Sequence, residues 1–94
     1  MFAAKISEDG VLVLSGRFDA EQVEKARIAF NRIGRTTVVD CKDLDYVSSA
    51  GLGVLLMTQK RLRDSGSELI LANINKHIKN IFEYAGLDKI FEIR

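Results

Sequence analysis

The chain has 94 residues, of which 47% are hydrophobic, and its 14 basic and 13 acidic side chains leave a formal net charge of +1. This length allows one domain, 1–94, with a small core, and the charge balance gives no basic surface for nucleic acid or for an anionic membrane. No apolar run approaches the roughly 18 residues of a membrane span, and no secretory signal is visible. Because Cys41 is the only cysteine, no internal disulfide can form, and we expect a cytoplasmic protein in which Cys41 is a small core residue.

Two short apolar segments separated by turn residues open the chain. Residues 2–6 alternate weakly, and Ser7 to Gly10 is a run of turn-forming residues. Val11 to Leu14 is a second apolar run, which ends at Ser15 and Gly16. This pattern predicts an antiparallel hairpin.

Three later stretches carry apolar residues at helical spacing. The first follows Asp19 as a cap and is stopped by Gly34. The second begins near Ala50 and is stopped by Gly66; the third follows Asn75 as a cap and is stopped by Gly86. The predicted inward faces are Val23, Ala26, Phe30 and Ile33; then Leu52, Leu55, Leu56 and Leu62; then Ile78, Ile81, Phe82 and Ala85.

Apolar and β-branched segments at residues 36–41, 68–72 and 90–93 predict three further strands, with residues 42–47 as a loop before the second helix. The resulting element order predicts an α/β fold. It has a mixed, mostly parallel sheet with an antiparallel N-terminal hairpin, packed with three amphipathic helices. A small ferredoxin-like layout is the alternative.

Ser48 and Ser49 stand where the third predicted strand gives way to the second helix. A helix start has unpaired N–H groups and the positive end of the helix dipole, so a hydroxyl can cap it and a phosphate on that hydroxyl would be well placed. A phosphate adds about −1.5 to −2 charges, and burying that charge uncompensated in an interface costs several kcal/mol. The two serines are therefore candidates for a reversible charge switch that controls binding. The neighbouring Asp40, Asp43 and Asp45 form either ordinary turns and caps or an acidic rim around this site.

The residue inventory speaks against catalysis. Nucleophilic catalysis needs a histidine near a serine or cysteine, and the only histidine, His77, is expected at the surface. One histidine and one cysteine are too few for a metal site. Gly51 and Gly53 resemble part of a phosphate-binding loop, but the lysine-containing motif is missing, so close packing of the helix start is favoured over nucleotide contact. We expect no enzymatic activity and no cofactor.

Three segments, in order and over nearly the whole chain, resemble the STAS family, and within it the small bacterial anti-sigma factor antagonists. Leu14–Ala20 matches the family's L-x-G-x-x-D, Val38–Leu55 its strand and D-L-x-x-x-D-S-[ST]-G-L-G segment, and Phe82–Leu87 its F-x-x-[ST]-G-L. The resemblance implies a mixed sheet flanked by helices in a protein without enzymatic activity. It also implies binding to an anti-sigma factor with serine kinase activity, which frees a sigma factor, phosphorylation by that kinase, and reversal by a serine phosphatase.

By position, the resemblance assigns the phospho-acceptor to Ser49, with Ser48 as the fallback. Within the segment before the second helix, two residues depart from the family pattern: Ser48 replaces the usual aspartate, and Ala50 replaces Ser or Thr. The family also commonly has a further helix at about the position of Arg94. The expected partner surface is the loop before the second helix together with that helix's exposed side. It comprises Asp43, Asp45, Tyr46, Ser48, Ser49, Gly51, Gly53, Thr58, Gln59 and Arg61.

Two other functions remain open at this stage. STAS domains also serve as constitutive structural subunits, for example in lipid-transport or signalling complexes, in which Ser48 and Ser49 would be helix caps only. The remaining hypothesis is nucleotide binding at Gly51 to Gly53.

Overall fold

The computed structural model, which describes residues 1–94, has one five-stranded sheet with the strand order β1-β2-β3-β4-β5. The strands are β1 (Ala3–Ile6), β2 (Leu12–Phe18), β3 (Thr37–Val47), β4 (Leu69–Ala72) and β5 (Glu92–Ile93). A 3-10 turn (Ala20–Gln22) precedes α1 (Val23–Phe30), and the other helices are α2 (Ser49–Asp64) and α3 (Lys76–Tyr84). β1 pairs with β2 antiparallel and all other neighbours are parallel, which confirms the predicted mixed sheet and excludes the ferredoxin-like alternative.

The helices and one face of the sheet share a single core. Because each crossover from β2 to β5 moves one strand further in the same direction, right-handed connections place all three helices on the same face. Leu12, Val39 and Leu71, on adjacent strands of that face, are fully buried in a cluster of 19 residues that includes side chains from every helix. Val38 points to the other face of the sheet and is half-buried.

Strand β3 is longer than predicted and includes the segment 42–47, which was expected to be a loop. Its second half pairs with β2, which also runs further than predicted. The paired residues extend from Ser15 opposite Asp43 to Phe18 opposite Val47. Two register shifts in this ladder place extra residues on β3, and these break the alternation of buried and exposed side chains. The sequence pattern of a loop was therefore produced by two β-bulges in a strand.

The helix caps agree with most of the predicted signals. Asn75 accepts a hydrogen bond from the Ile78 N–H at 2.8 Å, and Gly66 and Gly86 follow α2 and α3 with φ of +82° and +74°. The stop at Gly34 was wrong, because α1 already ends at Phe30. Asp19 caps the 3-10 turn rather than α1, accepting from the Glu21 N–H at 3.1 Å.

The buried face of α2 differs from the predicted one. Leu56 is 37% exposed, whereas Thr58 and Gln59, expected on the exposed side, are only 6% and 1% exposed. Their polar groups are satisfied inside the fold. The Thr58 hydroxyl donates to the Val54 carbonyl, and the Gln59 amide accepts from the Leu69 N–H at 2.6 Å and donates to the Ile90 carbonyl at 2.9 Å.

The two hydrogen bonds of Gln59 generate a stability prediction. Gln59→Leu keeps the approximate volume of the side chain but leaves the buried Leu69 N–H without its partner, so the free energy of unfolding should fall by about 1–3 kcal/mol. Urea unfolding measures this loss. The exposed neighbour provides the control, since Lys60→Ala should change stability by less than about 0.5 kcal/mol. Equal stability of the two variants would contradict a bridging role for Gln59.

Candidate functional site

The two serines at the start of α2 have different environments. The Ser48 N–H donates to the Phe18 carbonyl at 2.8 Å, and its hydroxyl oxygen accepts from the Gly51 N–H at 3.1 Å. Ser48 is therefore the N-cap of α2 and is half-buried. Ser49 is the first residue of the helix; its side chain is exposed and takes no part in the cap. Of the two hydroxyls, that of Ser49 is the one open to an enzyme that modifies serine.

Gly51 holds the start of α2 against the sheet. A Cβ atom at this position would lie 2.9 Å from Val47 Cγ2, 3.0 Å from the Phe18 carbonyl oxygen and 3.1 Å from Phe18 Cγ, so only glycine fits without a shift. At Gly53, in contrast, a Cβ atom would have no neighbour within 4 Å. Close packing of the helix start is thus confirmed for Gly51, whereas the fold itself does not require glycine at position 53.

Strand β3 brings Tyr46 and two carboxylates to the same end of the sheet. Tyr46 is half-buried, and the Arg17 guanidinium of β2 lies 4.3 Å from the centre of its ring. Asp43 and Asp45 are exposed, so an acidic rim near Ser49 consists of these two side chains.

Asp40 does not belong to that rim. Its carboxylate accepts from the Asn73 amide and from the Lys42 N–H, both at 3.0 Å, and these hydrogen bonds hold the pKa of Asp40 below its usual value. Asp40 lies opposite Ala72, where β4 ends, well before the end of β3. Its role is to join the end of β4 to β3.

Two clefts flank the N-terminal half of α2. One, of about 490 Å³, lies between α1 and α2, and its lining includes Val23, Arg27, Ala50, Gly53 and Met57. The other, of about 520 Å³, lies between α2 and α3, and its lining includes Tyr46, Ser48, Ser49, Leu52, His77 and Tyr84. The outer face of α2 separates the clefts and exposes Met57 at 71% and Leu56 at 37%.

Arg61 lies away from the serines and has a structural contact. Its guanidinium donates to the Ile33 carbonyl at 2.8 Å and to the Phe30 carbonyl at 3.0 Å, so it closes the C-terminal end of α1. It is separated from Ser49 by about 18 Å along the helix axis. Tyr46, Ser48 and Ser49 therefore form one local group that lines a common cleft, and Arg61 is remote from it.

Four residues of this region were not singled out from the sequence as surface anchors: Leu56, Met57, His77 and Tyr84. Leu56 had been assigned to the core, and Tyr84, at the end of α3, is 97% exposed. One signal in the sequence could have indicated an exposed apolar side chain: Met57 lies one residue outside the predicted apolar stripe of the second helix.

The structure contains no group of three or more His, Cys, Asp or Glu side chains placed to hold a metal ion. Burial raises the pKa of the Cys41 thiol to about 12, so it is not a nucleophile at neutral pH. None of the helices combines the length and apolar composition that a membrane crossing requires.

Comparisons with known proteins identify relatives of the whole fold. The family model described as "Mlab, STAS domain" matches residues 1–93. BtrV of Bordetella bronchiseptica, provisionally named an anti-sigma factor antagonist, is 40% identical over 76 residues, which cover 80% of this chain and 66% of BtrV, just under two thirds of its length. The anti-sigma-B factor antagonist of Listeria monocytogenes is 31% identical, with 88% of this chain and 76% of that protein covered.

The fold also matches a solved anti-sigma factor antagonist, SpoIIAA. Its unphosphorylated form superposes with a TM-score of 0.74 at 20% identity, covering 100% of this chain and 88% of that one. SpoIIAA from Bacillus has also been solved in its phosphorylated form, with a TM-score of 0.70 at 20% identity and coverage of 100% and 91%.

The different environments of the serines predict different costs of mutation. Ser48→Ala removes the cap of α2 and should lower the free energy of unfolding by about 1 kcal/mol. Ser49→Ala removes an exposed hydroxyl outside the cap and should change it by less than about 0.5 kcal/mol. Urea unfolding of both variants in parallel measures the difference, and the reverse order would show that the cap has been assigned to the wrong serine.

Proposed function

The chain belongs to the STAS family, and we propose that it is an anti-sigma factor antagonist: a protein without enzymatic activity that binds an anti-sigma factor with serine kinase activity in the cytoplasm. Binding would release the sigma factor. The names of the relatives support this role. The observation that carries it is the exposed Ser49 hydroxyl at the start of α2, left free because Ser48 supplies the cap.

Phosphorylation of Ser49 by the bound kinase would end the interaction, and a serine phosphatase would restore it. A phosphate at the start of α2 faces the positive end of the helix dipole, which is worth about 0.3–1 kcal/mol, so the fold tolerates it. An interface that buries the same dianion without a cation loses several kcal/mol, and each 1.4 kcal/mol is about tenfold in affinity. The exposed Asp43 and Asp45 add negative charge to this end of the sheet.

We place the docking surface on the outer face of α2. The sequence had suggested a surface that includes Thr58 and Gln59, but both of these side chains are buried. Leu56 and Met57 are two of only six large hydrophobic side chains exposed on this protein, and they lie about two helical turns from Ser49. Gly53 lies between them and the serine and leaves the helix backbone accessible to a partner. Tyr46, Ser48 and Ser49 border this surface at the start of the helix.

The constitutive structural subunit is the second candidate, and the cap formed by Ser48 fits it equally well. It gives no role to the Ser49 hydroxyl, which the cap does not use. Nucleotide binding at Gly51 is the weakest candidate. The space beside its Cα, where another residue would have a Cβ atom, is already occupied by Val47 and Phe18.

Charge at position 49 should control partner affinity. Incubation with the cognate serine kinase and ATP should place phosphate on Ser49, as mapped by mass spectrometry. Ser49→Asp should weaken binding to that kinase by at least about tenfold, and Ser49→Ala should bind like the wild type. Ser65→Asp, which adds the same charge at the other end of α2, is the control. Equal affinity of the Asp and Ala variants at position 49 would refute the charge mechanism.

The two glycines of α2 separate folding from docking. Gly53→Ala should raise the free energy of unfolding by about 1 kcal/mol, since alanine is the better helix former and its methyl group meets nothing. The same variant should weaken partner binding by at least about tenfold, because the methyl group occupies the docking surface. Calorimetric titration and urea unfolding give the two values.

Gly51→Ala is the matched contrast, because its methyl group meets Val47 and Phe18 and should lower stability. Met57→Ser tests the same surface through its largest exposed side chain. Unchanged affinity for both Gly53→Ala and Met57→Ser would move the docking surface elsewhere.

A further inference from the structure

The cleft between α2 and α3 contains the only histidine of the chain together with the proposed phosphorylation site. Ser48 and Ser49 line it from the start of α2, Tyr46 from the end of β3, and His77 from the first turn of α3. His77 is followed along the same face of α3 by Asn80, Ile81 and Tyr84, at helical spacings of three, four and seven residues. A group added to the Ser49 hydroxyl would enter a space that α3 also borders.

The first turn of α3 is basic. It carries Lys76, His77 and Lys79 without any acidic residue, and all three side chains are exposed. Cations in the first turn of a helix are unfavourable to that helix, because they face the positive end of its dipole. A nearby dianion would relieve this unfavourable arrangement.

Charged groups of both signs lie on the neighbouring strands, but none of them lines the cleft. They are Arg17 on β2, stacked on Tyr46, and Asp43 and Asp45 on β3; the first turn of α2 has no acidic residue. Of the basic side chains in this region, only that of His77 lines the cleft itself. Besides the start of α2 itself, the basic side chain available to a phosphate inside the cleft is therefore on α3.

We infer that the α2–α3 cleft is the binding site for the phosphate on Ser49, and that the His77 side chain supplies its counter-charge across the cleft. This rests on the proposed phosphorylation of Ser49 and adds what the phosphate does within the domain. The phosphate then occupies the cleft beside the docking face. There it forms one charged surface with the starts of α2 and α3.

Phosphorus NMR of the domain carrying phosphoserine at position 49 tests this assignment without any partner. The second pKa of a phosphoserine is about 6, and a neighbouring cation lowers it by favouring the dianion. His77→Gln should raise the phosphate pKa by about 0.4 pH units, the shift that corresponds to an exposed ion pair. Lys5→Gln removes a basic side chain at β1, on the opposite edge of the sheet, and should leave the phosphate pKa unchanged.

A second readout uses the fact that all histidine ring resonances belong to His77. Phosphorylation of Ser49 should move them, whereas phosphorylation should leave the backbone resonances of β1 in place. An unchanged phosphate pKa in His77→Gln, together with unmoved ring resonances, would overturn the inference.

The failure of this inference is distinguishable from failure of the proposed function. If the phosphorylated wild type loses its affinity for the kinase while His77→Gln leaves the phosphate pKa unchanged, the cleft assignment is wrong and the switch stands. If phosphorylation leaves kinase affinity unchanged, the switch is wrong, and the phosphorus and histidine signals still decide the assignment of the cleft.

Discussion

The contact of Gly51 with Phe18 and Val47 is the constraint on which the rest of the site depends. It brings the first turn of α2 to within van der Waals distance of the ends of two parallel strands, closer than any other residue would allow. The Ser48 N–H, bonded to the Phe18 carbonyl, continues the β2–β3 ladder to the first residue before the helix. Because strand and helix are joined without an intervening loop, the position of Ser49 is set by the core and not by a mobile segment.

Under the proposed function, this arrangement divides two tasks between neighbouring residues. A single serine at a helix start would have to cap the helix and also present its hydroxyl to a kinase, and modification would then remove the cap. Here Ser48 accepts from the Gly51 N–H and Ser49 faces solvent. A charge can therefore be added at position 49 while the hydrogen bond that ends β3 and starts α2 stays in place.

The sequence was sufficient for the elements whose signals are local. Gly66 and Gly86 act through their own backbone and Asn75 through a side-chain bond to the Ile78 N–H three residues on, and all three mark helix ends as predicted. The second half of β3 could not be predicted, because its pairing depends on the length of β2 and its two bulges break the alternation that identifies a strand.

The exposed side of α2 was misassigned for a related reason. Polar residues were taken as exposed, but Thr58 and Gln59 find partners inside the fold, one on its own helix and one on the strands that cover it. Leu56 was taken as buried because leucine is usually a core residue. Periodicity shows that a helix has an apolar and a polar face. It does not show that a polar side chain such as Gln59 is buried because a backbone N–H of β4 needs it as a hydrogen-bond partner.

The fold also explains why a small charge change can act on binding more than on folding. All three helices lie on one face of the sheet and share one core, so α2 is fixed along its buried side by Val54, Leu55 and Leu62. A phosphate at its first residue changes none of these contacts. Its effect is confined to the solvent-facing end of the helix and the cleft beside it, which no arginine lines, and Asp43 and Asp45 are exposed on β3. A partner that covers this end must supply cations or lose the interaction, because desolvating a dianion costs more than the apolar contacts of Leu56 and Met57 can offset.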